Sequence, residues 1–231
     1  MTEATSKPAS DTWLQTMAEN CTDSTQLVVG YGGYEDEASS FMRFERLNAA
    51  YYLMREAAQG NAYAALAPNI MIRKSVFMRQ DGFLGNLQLI HGEYDFLVNK
   101  YSEEGKVALE TREAAWTLDD APEHSVWMAG HIFYRETRKW LSRSFAHRAW
   151  FNIDQITLHL SFLLLLAGIV WGAVTMNIVL LAAAVLGLIL SIVLRTMFGC
   201  KAMAAFGEHV PAHLSLPAFP GLEKSRVRIA L

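Results

Sequence analysis

A long uncharged apolar run lies between Ile156 and Leu194, where the chain has no Asp, Glu, Lys or Arg. A membrane-spanning helix needs about 20 apolar residues, so the run can hold two, which we predict at residues 156–176 and 177–198. A buried hairpin in a soluble protein is the alternative, but surface helices of soluble proteins usually carry a polar stripe. The sequence therefore predicts a transmembrane helical hairpin within residues 151–200.

Basic residues flank the predicted hairpin on both sides. Arg148 precedes the first span, and Arg195 and Lys201 close the second, whereas the turn between the spans carries no charge. By the positive-inside rule, both ends of the hairpin then face the cytoplasm. We therefore expect a multi-pass protein of the inner (plasma) membrane, with residues 1–150 as a cytoplasmic domain and residues 201–231 as a cytoplasmic tail.

The charge and the cysteine and histidine content of the chain argue against some kinds of binding site. A formal net charge of -3 gives no indication of the basic face that nucleic-acid binding needs. Cys21 and Cys200 form no CxxC pair, and the seven histidines are scattered without ligand spacing. The sequence therefore predicts a reduced cytosolic setting, no zinc site and no nucleic-acid partner.

The segment before the hairpin has the pattern of a mixed α/β domain. Its glycine-rich GYGG stretch lacks the GxGxxG spacing of dinucleotide-binding proteins and predicts only a turn. Apolar periodicity, β-branched runs and turn residues predict the secondary structure. The predicted elements are a strand and turn in 26–33, a helix in 38–58, a loop, strand and helix start in 61–77, a turn in 81–86, a helix in 92–104 and a strand in 106–118.

Four short stretches follow one another in the order of a known family. They are PNIMIRKSVF (68–77), GF (82–83), GEYDFLVNK (92–100) and YRETRK (134–139). They resemble GxNLAYRKSxF, GF, GDDDLFVN and WxxQKxRH of membrane-attached bacterial glycosyltransferases of family 2. The resemblance implies an α/β fold with a partial GT-A-like mixed sheet ahead of the hairpin.

The activity that this resemblance implies belongs to cell-envelope polysaccharide biosynthesis. A sugar moves from a nucleotide-diphosphate donor to a lipid-linked or polysaccharide acceptor, with inversion at the anomeric carbon. Glu93 matches the position of the general base that takes the proton of the acceptor hydroxyl, and Asp95 matches the acid that follows it. The alternative is that both acids only complement the dipole of a helix N-terminus.

The resemblance also implies a set of substrate-binding residues. Asn69 and Arg73 match the loop on the acceptor and phosphate side, and Arg135, Arg138 and Trp140 match a segment that contacts diphosphate and acceptor. Arginine suits phosphate because its planar fork donates two parallel hydrogen bonds. The alternative for Arg135, Arg138 and Trp140 is that they anchor the chain at lipid headgroups ahead of a span. The alternative for Asn69 and Arg73 is that they are ordinary polar residues of a loop and a strand edge.

The start of the chain, MTEATSKPASDTWLQTM, is similar to the family's LTDADCKPSxxWLxxM. Glu3 and Thr5 then stand where the metal-binding DxD has its two acids, so the expected Mg²⁺ or Mn²⁺ keeps only Glu3 as a charged oxygen ligand. The resemblance covers only the C-terminal half of such an enzyme, which implies a separate N-terminal half as a partner. The alternative is that this segment is a solvated N-terminal arm.

Two other functions remain open from the sequence. A chain with a degenerate DxD can be a catalytically inactive membrane partner subunit, or the remnant of a split gene. A small membrane-anchored module whose loops bind another protein is the second possibility, and it predicts no effect of changing Glu93.

Overall fold

The computed structural model describes residues 1–65, 67–85, 92–102, 106–143 and 145–206. Within these ranges, the side chains of 106, 135, 151, 152, 154, 155, 158, 198, 199, 202, 203 and 205 lie outside the description. The chain divides into two compact units, which meet in the sequence between Ser142 and Arg143. Most of the predicted tail, residues 207–231, lies outside the described residues.

The first unit contains two small mixed sheets. In one sheet, β2 (Thr25–Gly30) lies between an antiparallel β4 (Ile70–Ile72) and a parallel β5 (Lys106–Glu110). In the other, β6 (Thr117–Asp119) lies between an antiparallel β1 (Ser6–Pro8) and a parallel β3 (Gly32–Tyr34).

Strand β2 is buried on both faces, which explains its continuous apolar run. Leu27 and Val29 pack on one side, in the core cluster that includes Leu97. Val28 points to the other side and packs with Met17. Helices therefore cover both faces of this sheet, and the sheet holds the segments around residues 30, 69 and 110 in fixed positions.

The helices of the first unit begin and end at recognisable signals. The longest begins after Ser39, whose hydroxyl accepts a hydrogen bond from the N–H of Met42, and ends before Gly60, which has a positive φ of 87° as helix C-termini often require. The helices are α1 (Trp13–Ala18), α2 (Ser40–Ala58), α3 (Lys74–Arg79), α4 (Glu93–Ser102) and α5 (His124–Arg138).

The second unit is a pair of long helices, α6 (Phe145–Val174) and α7 (Ile178–Ala205), joined by residues 175–177. They pack closely, since a Cβ added to Gly172 would lie 2.8 Å from the backbone nitrogen of Leu181. In the described part, Ile178–Met197 is long and apolar enough to cross a membrane, and His159–Val174 is a shorter apolar helix.

The structure confirms the α/β class and several of the predicted elements. Predictions for 38–58 and 61–77 match α2, β4 and α3, and the strand predicted in 26–33 matches β2. The turn predicted for the glycine-rich GYGG stretch is wrong, because Gly32 and Gly33 belong to β3, which pairs with β6. The single strand predicted in 106–118 is wrong, because a 3-10 turn at Glu113–Ala115 separates β5 from β6, which lie in different sheets. The solvated N-terminal arm is also wrong, because β1 pairs with β6 and Met17 is completely buried.

Candidate functional site

Helix α4 begins at a glycine that no other residue could replace without strain. Gly92 has a φ of 91°, and a Cβ on it would lie 2.6 Å from Cγ2 of Thr137 on α5. Its carbonyl accepts the hydrogen bond of Phe96 N–H, which closes the first turn of α4. The glycine therefore brings the N-terminus of α4 into direct contact with α5, and it places Glu93 and Asp95 beside that helix.

Asp95 is completely buried in this first turn. Its Oδ1 accepts a hydrogen bond of 2.9 Å from the N–H of Ala65, and its Oδ2 accepts one of 3.4 Å from Nε of Arg138. The carboxylate thus ties the loop after α2 to α4 and α5. Asp95 is held by the chain itself, so it is placed to position other groups, whereas a group that meets a substrate needs to be accessible.

Glu93, in contrast, is partly exposed at the first residue of α4. Next to it, burial raises the pKa of Tyr94 to about 12, together with the negative charges of Glu3, Glu93 and Asp119. A charge acts on a neighbouring pKa in this way only when it lies nearby. Charges at the start of the chain, at the end of β6 and at the start of α4 therefore all act on one tyrosine.

Tyr134 on α5 is a second tyrosine that such charges act on. Burial raises its pKa, and the charges of Asp95 and Glu3 raise it further, against the opposing charge of Arg46. Both tyrosines therefore stay protonated at neutral pH, so each keeps a hydroxyl that can donate as well as accept. We call Glu3, Glu93, Tyr94, Asp95 and Tyr134 the carboxylate–tyrosine cluster.

A buried ion pair supports this cluster from the sheet side. Nη2 of Arg46 lies 2.6 Å from Oδ2 of Asp119, and its Nε donates to the carbonyl of Gly32. Ser6 donates its hydroxyl to the other carboxylate oxygen of Asp119. The pair therefore joins α2 to all three strands of the β1–β6–β3 sheet, and it fixes the segment that follows Glu3.

Asn69 and Trp13 form a polar contact within the interior of the first unit. Asn69 is completely buried, its Nδ2 donates to the carbonyls of Tyr31 and Ala115, and its Oδ1 accepts from the indole N–H of Trp13. Buried amides need such partners, so this side chain has a clear role in the fold. Its assignment to substrate binding stays a prediction.

The remaining substrate-binding candidates lie in different surroundings. The guanidinium of Arg73 donates to the carbonyls of Thr22 and Thr25, at the beginning of β2. Trp140 is 68% exposed just after α5, and the side chain of Arg135 lies outside the described residues. Among the candidates whose side chains the structure describes, Arg138 contacts a predicted acid, Asp95, and the roles of the others stay predictions.

The residues at the DxD position do not fit a divalent metal. Glu3 offers one carboxylate and Thr5 only a neutral hydroxyl, whereas Mg²⁺ and Mn²⁺ prefer several charged oxygens. Within the described ranges, no three His, Cys, Asp or Glu side chains are grouped closely enough to hold a metal ion.

Several members of the site could not be found from local sequence patterns. Arg46 and Asp119 lie outside the quoted motifs, and only their tertiary contacts join them to the predicted site. Tyr134 begins the YRETRK stretch, but nothing in the sequence indicates that it lies near the acids of α4. Comparisons with family models, with curated proteins and with solved structures found no match. The likeness to glycosyltransferases therefore rests on the quoted sequence stretches alone.

Proposed function

We propose that the first unit takes part in inverting glycosyl transfer and that the second unit anchors it in the inner membrane. One observation carries the proposal. The order of short motifs assigned Glu3, the acids of α4 and Arg138 of α5 to one active site. In the structure Arg138 pairs with Asp95, and the charge of Glu3 raises the pKa of both Tyr94 and Tyr134. A chance match of motifs gives no reason for these interactions.

Glu93 is the general base in this proposal. Its partly exposed carboxylate takes the proton of an acceptor hydroxyl as that oxygen forms a bond to the anomeric carbon of the donor sugar. The bond from this carbon to the diphosphate oxygen breaks, and the nucleotide diphosphate leaves with the electron pair. Attack opposite to the leaving group inverts the configuration at carbon, and a positioned base contributes about a hundredfold or more to such a rate.

Asp95 and Arg138 position the site. The buried carboxylate of Asp95 holds Nε of Arg138, while Nη2 of Arg138 is buried and has no hydrogen-bond partner among the described residues. The Arg138 side chain as a whole is 34% exposed. In the proposal an oxygen of the donor diphosphate or of the acceptor reaches the guanidinium from this exposed side.

The membrane part of the proposal is a two-span hairpin with both ends in the cytoplasm. It is supported by the apolar stretch Ile178–Met197 and by the shorter His159–Val174, which runs beside it in the closely packed pair. Apolar side chains on both helices are exposed, as lipid contact requires, among them Leu163, Val170 and Leu186. The acceptor is then a lipid-linked sugar or a growing polysaccharide at the cytoplasmic face.

Donor binding is the experiment that tests the proposal. Detergent-purified chain is titrated with UDP-sugars and GDP-sugars by calorimetry, alongside an Arg138→Gln variant. We expect saturable binding that weakens about tenfold or more when the guanidinium is removed, because charge-assisted hydrogen bonds are about twice as strong as neutral ones. Absence of binding by a chain with the circular-dichroism spectrum of an α/β protein would argue against the proposal.

A second candidate is favoured by the residue at position 5. Thr5 removes one of the two acids that the DxD of an active enzyme provides, and it is exposed at a position where the structure offers no replacement among its described neighbours. The chain can then be an inactive membrane partner subunit, or the remnant of a split gene, whose cluster is structural. This candidate predicts no donor binding by the chain, either alone or with a separate N-terminal half.

A further inference from the structure

We propose that the contact between α2 and α5 is a pH-responsive device, in which protonated His131 holds α5 against α2 and its deprotonation weakens that hold. The proposal does not depend on glycosyl transfer. It rests on the two ring nitrogens of one histidine. Nε2 of His131 lies 3.1 Å from Oε2 of Glu45 on α2, and Nδ1 lies 2.8 Å from the carbonyl oxygen of Trp127 on its own helix.

Both ring nitrogens of His131 therefore face an acceptor oxygen. A neutral imidazole carries one N–H and one lone pair, whereas an imidazolium carries two N–H groups. Only the protonated ring can donate to both oxygens at once. Either neutral tautomer leaves a lone pair opposite the carboxylate or opposite the carbonyl.

Glu45 makes the protonation state of His131 matter for the stability of the contact between α2 and α5. Its Oε2 is buried, and the described structure gives it no hydrogen-bond donor other than the one His131 can supply. A buried carboxylate oxygen without a donor is strongly unfavourable. Loss of one proton from His131 therefore removes the positive charge that faces this carboxylate, and it leaves a lone pair opposite either Oε2 of Glu45 or the carbonyl of Trp127.

The histidine lies within the packing between the helices. Its ring centroid is 4.2 Å from that of Trp127, which is 4% exposed and whose ring in turn contacts Phe41 of α2. Movement of the His131 ring away from Glu45 would therefore disturb the aromatic contacts that hold the first half of α5.

Two charged groups act on His131 from the helices packed around it, Glu45 on α2 and Arg138 on α5. Burial lowers the pKa of His131 and Arg138 lowers it as well, but the hydrogen bond and charge of Glu45 and the Trp127 carbonyl outweigh them, so the pKa lies above 6.5. A raised pKa in the folded state means that the stabilisation is complete below about pH 6.5 and is lost as the pH rises through the folded value.

The readout of the device is the position of α5. This helix carries Tyr134 and Arg138. A weakened contact at His131 therefore loosens the ion pair that joins Arg138 to Asp95 of the carboxylate–tyrosine cluster. The equilibrium constant for opening of α5 then rises between about pH 6.5 and the pKa of His131 in the closed state. The total rise is about tenfold for each unit by which this pKa exceeds the pKa of His131 in the open state.

Histidine titration by NMR tests the proposal on the full chain in detergent. Side chains labelled with ¹³C at Cε1 are followed from pH 5 to pH 9, and the His131 signal is assigned by its loss in His131→Gln. We expect a midpoint above 6.5, which falls to 6.5 or below in Glu45→Gln. A wild-type midpoint at or below 6.5, or one that Glu45→Gln leaves unchanged, would overturn the proposal.

Hydrogen exchange of peptides from residues 124–138 gives the conformational readout. After correction for the intrinsic pH dependence, exchange should rise with pH in the wild type and stay flat in Glu45→Gln, where a glutamine N–H can donate to neutral His131. His124→Gln, on the same helix but at an exposed position, is the matched control and should keep the wild-type rise. Exchange that does not change with pH in the wild type would also refute the device.

Discussion

Arg138 on α5 and Asp95 on α4 form an ion pair across 43 residues of sequence, with Nε of the arginine 3.4 Å from Oδ2 of the aspartate. The carboxylate is completely buried, whereas the arginine side chain is 34% exposed. The charge of the buried aspartate is therefore stabilised mainly by this pair, whereas water can also stabilise the charge of the arginine. The pair connects the first turn of α4, where Glu93 lies, to the C-terminal end of α5.

Asp95→Asn should destabilise the first unit. The substitution removes the charge that holds Arg138 and weakens the acceptor for Ala65 N–H, and a broken buried pair costs about 3–5 kcal/mol. Because Arg138 can turn to water, we expect about 1–3 kcal/mol, measured as a lower midpoint of urea unfolding. Glu136→Gln is the control, since its pair with Lys139 is 57% exposed on both sides. Equal effects of the two variants would contradict the role of Asp95.

Glu110 should make the stability of the first unit fall in acid. Burial favours the neutral form of Glu110, but hydrogen bonds from Arg112 and Asn20 outweigh it and hold the pKa at about 2, below its ordinary 4.5. A depressed folded pKa gives stability that is present above about pH 4.5 and is lost as the pH falls towards about 2.

Unfolding measured from pH 6 down to pH 2 should show this loss, about 2 kcal/mol after screening around the exposed Arg112. Glu110→Gln should remove that part of the pH dependence. Glu113→Gln, at an exposed neighbouring position, should retain it. A wild-type stability that is constant over this range would be the contradicting result.

Gly172→Ala should destabilise the helix pair of the second unit. The added Cβ would lie 2.8 Å from the backbone nitrogen of Leu181 and 3.0 Å from its Cα, so a helix backbone would have to move. We expect a loss of about 1–3 kcal/mol, seen as earlier thermal unfolding in detergent. Gly130→Ala on α5 is the matched control, because a Cβ there meets nothing within 4 Å, and it should stabilise by about 0.5–1 kcal/mol.

The two cysteines report the number of membrane crossings. Cys21 lies in the first unit and Cys200 near the end of α7, and both are exposed. Single-cysteine variants, Cys21→Ser and Cys200→Ser, are treated with a membrane-impermeant maleimide in intact cells and in inverted vesicles. Two spans predict labelling of both cysteines only in the inverted vesicles. Labelling of the two from opposite sides would mean an odd number of crossings.

Local patterns predicted the elements that depend on local physics. Helix α2 follows from apolar spacing between Phe41 and Met54, and β2 from the continuous run that a strand buried on both faces requires. The break between α6 and α7 falls at residues 175–177, where the sequence has Thr175 and Asn177 between apolar runs. These features need no knowledge of distant contacts.

The wrong predictions depended on contacts that are remote in the sequence. The N-terminal segment looks like a polar arm until β1 is paired with β6, which lies 113 residues away at the Ser6–Asp119 contact. The contact between Asn69 and Trp13, 56 residues earlier, could not be predicted either, because a loop asparagine gives no local sign of a distant partner. The assignment of Glu93 and Asp95 to a site came from the resemblance to a family's motifs, and it stays a prediction.

Release of nucleotide diphosphate from a donor sugar is the measurement that decides whether Glu93 acts as a catalytic base. Detergent-purified chain is incubated with UDP-sugars and GDP-sugars, and the wild type is compared with Glu93→Gln and with the surface control Glu113→Gln. We predict release by the wild type and the control, and a loss of about a hundredfold or more in Glu93→Gln. Equal release by all three proteins, or no release by any of them, would contradict a glycosyltransferase role for this site.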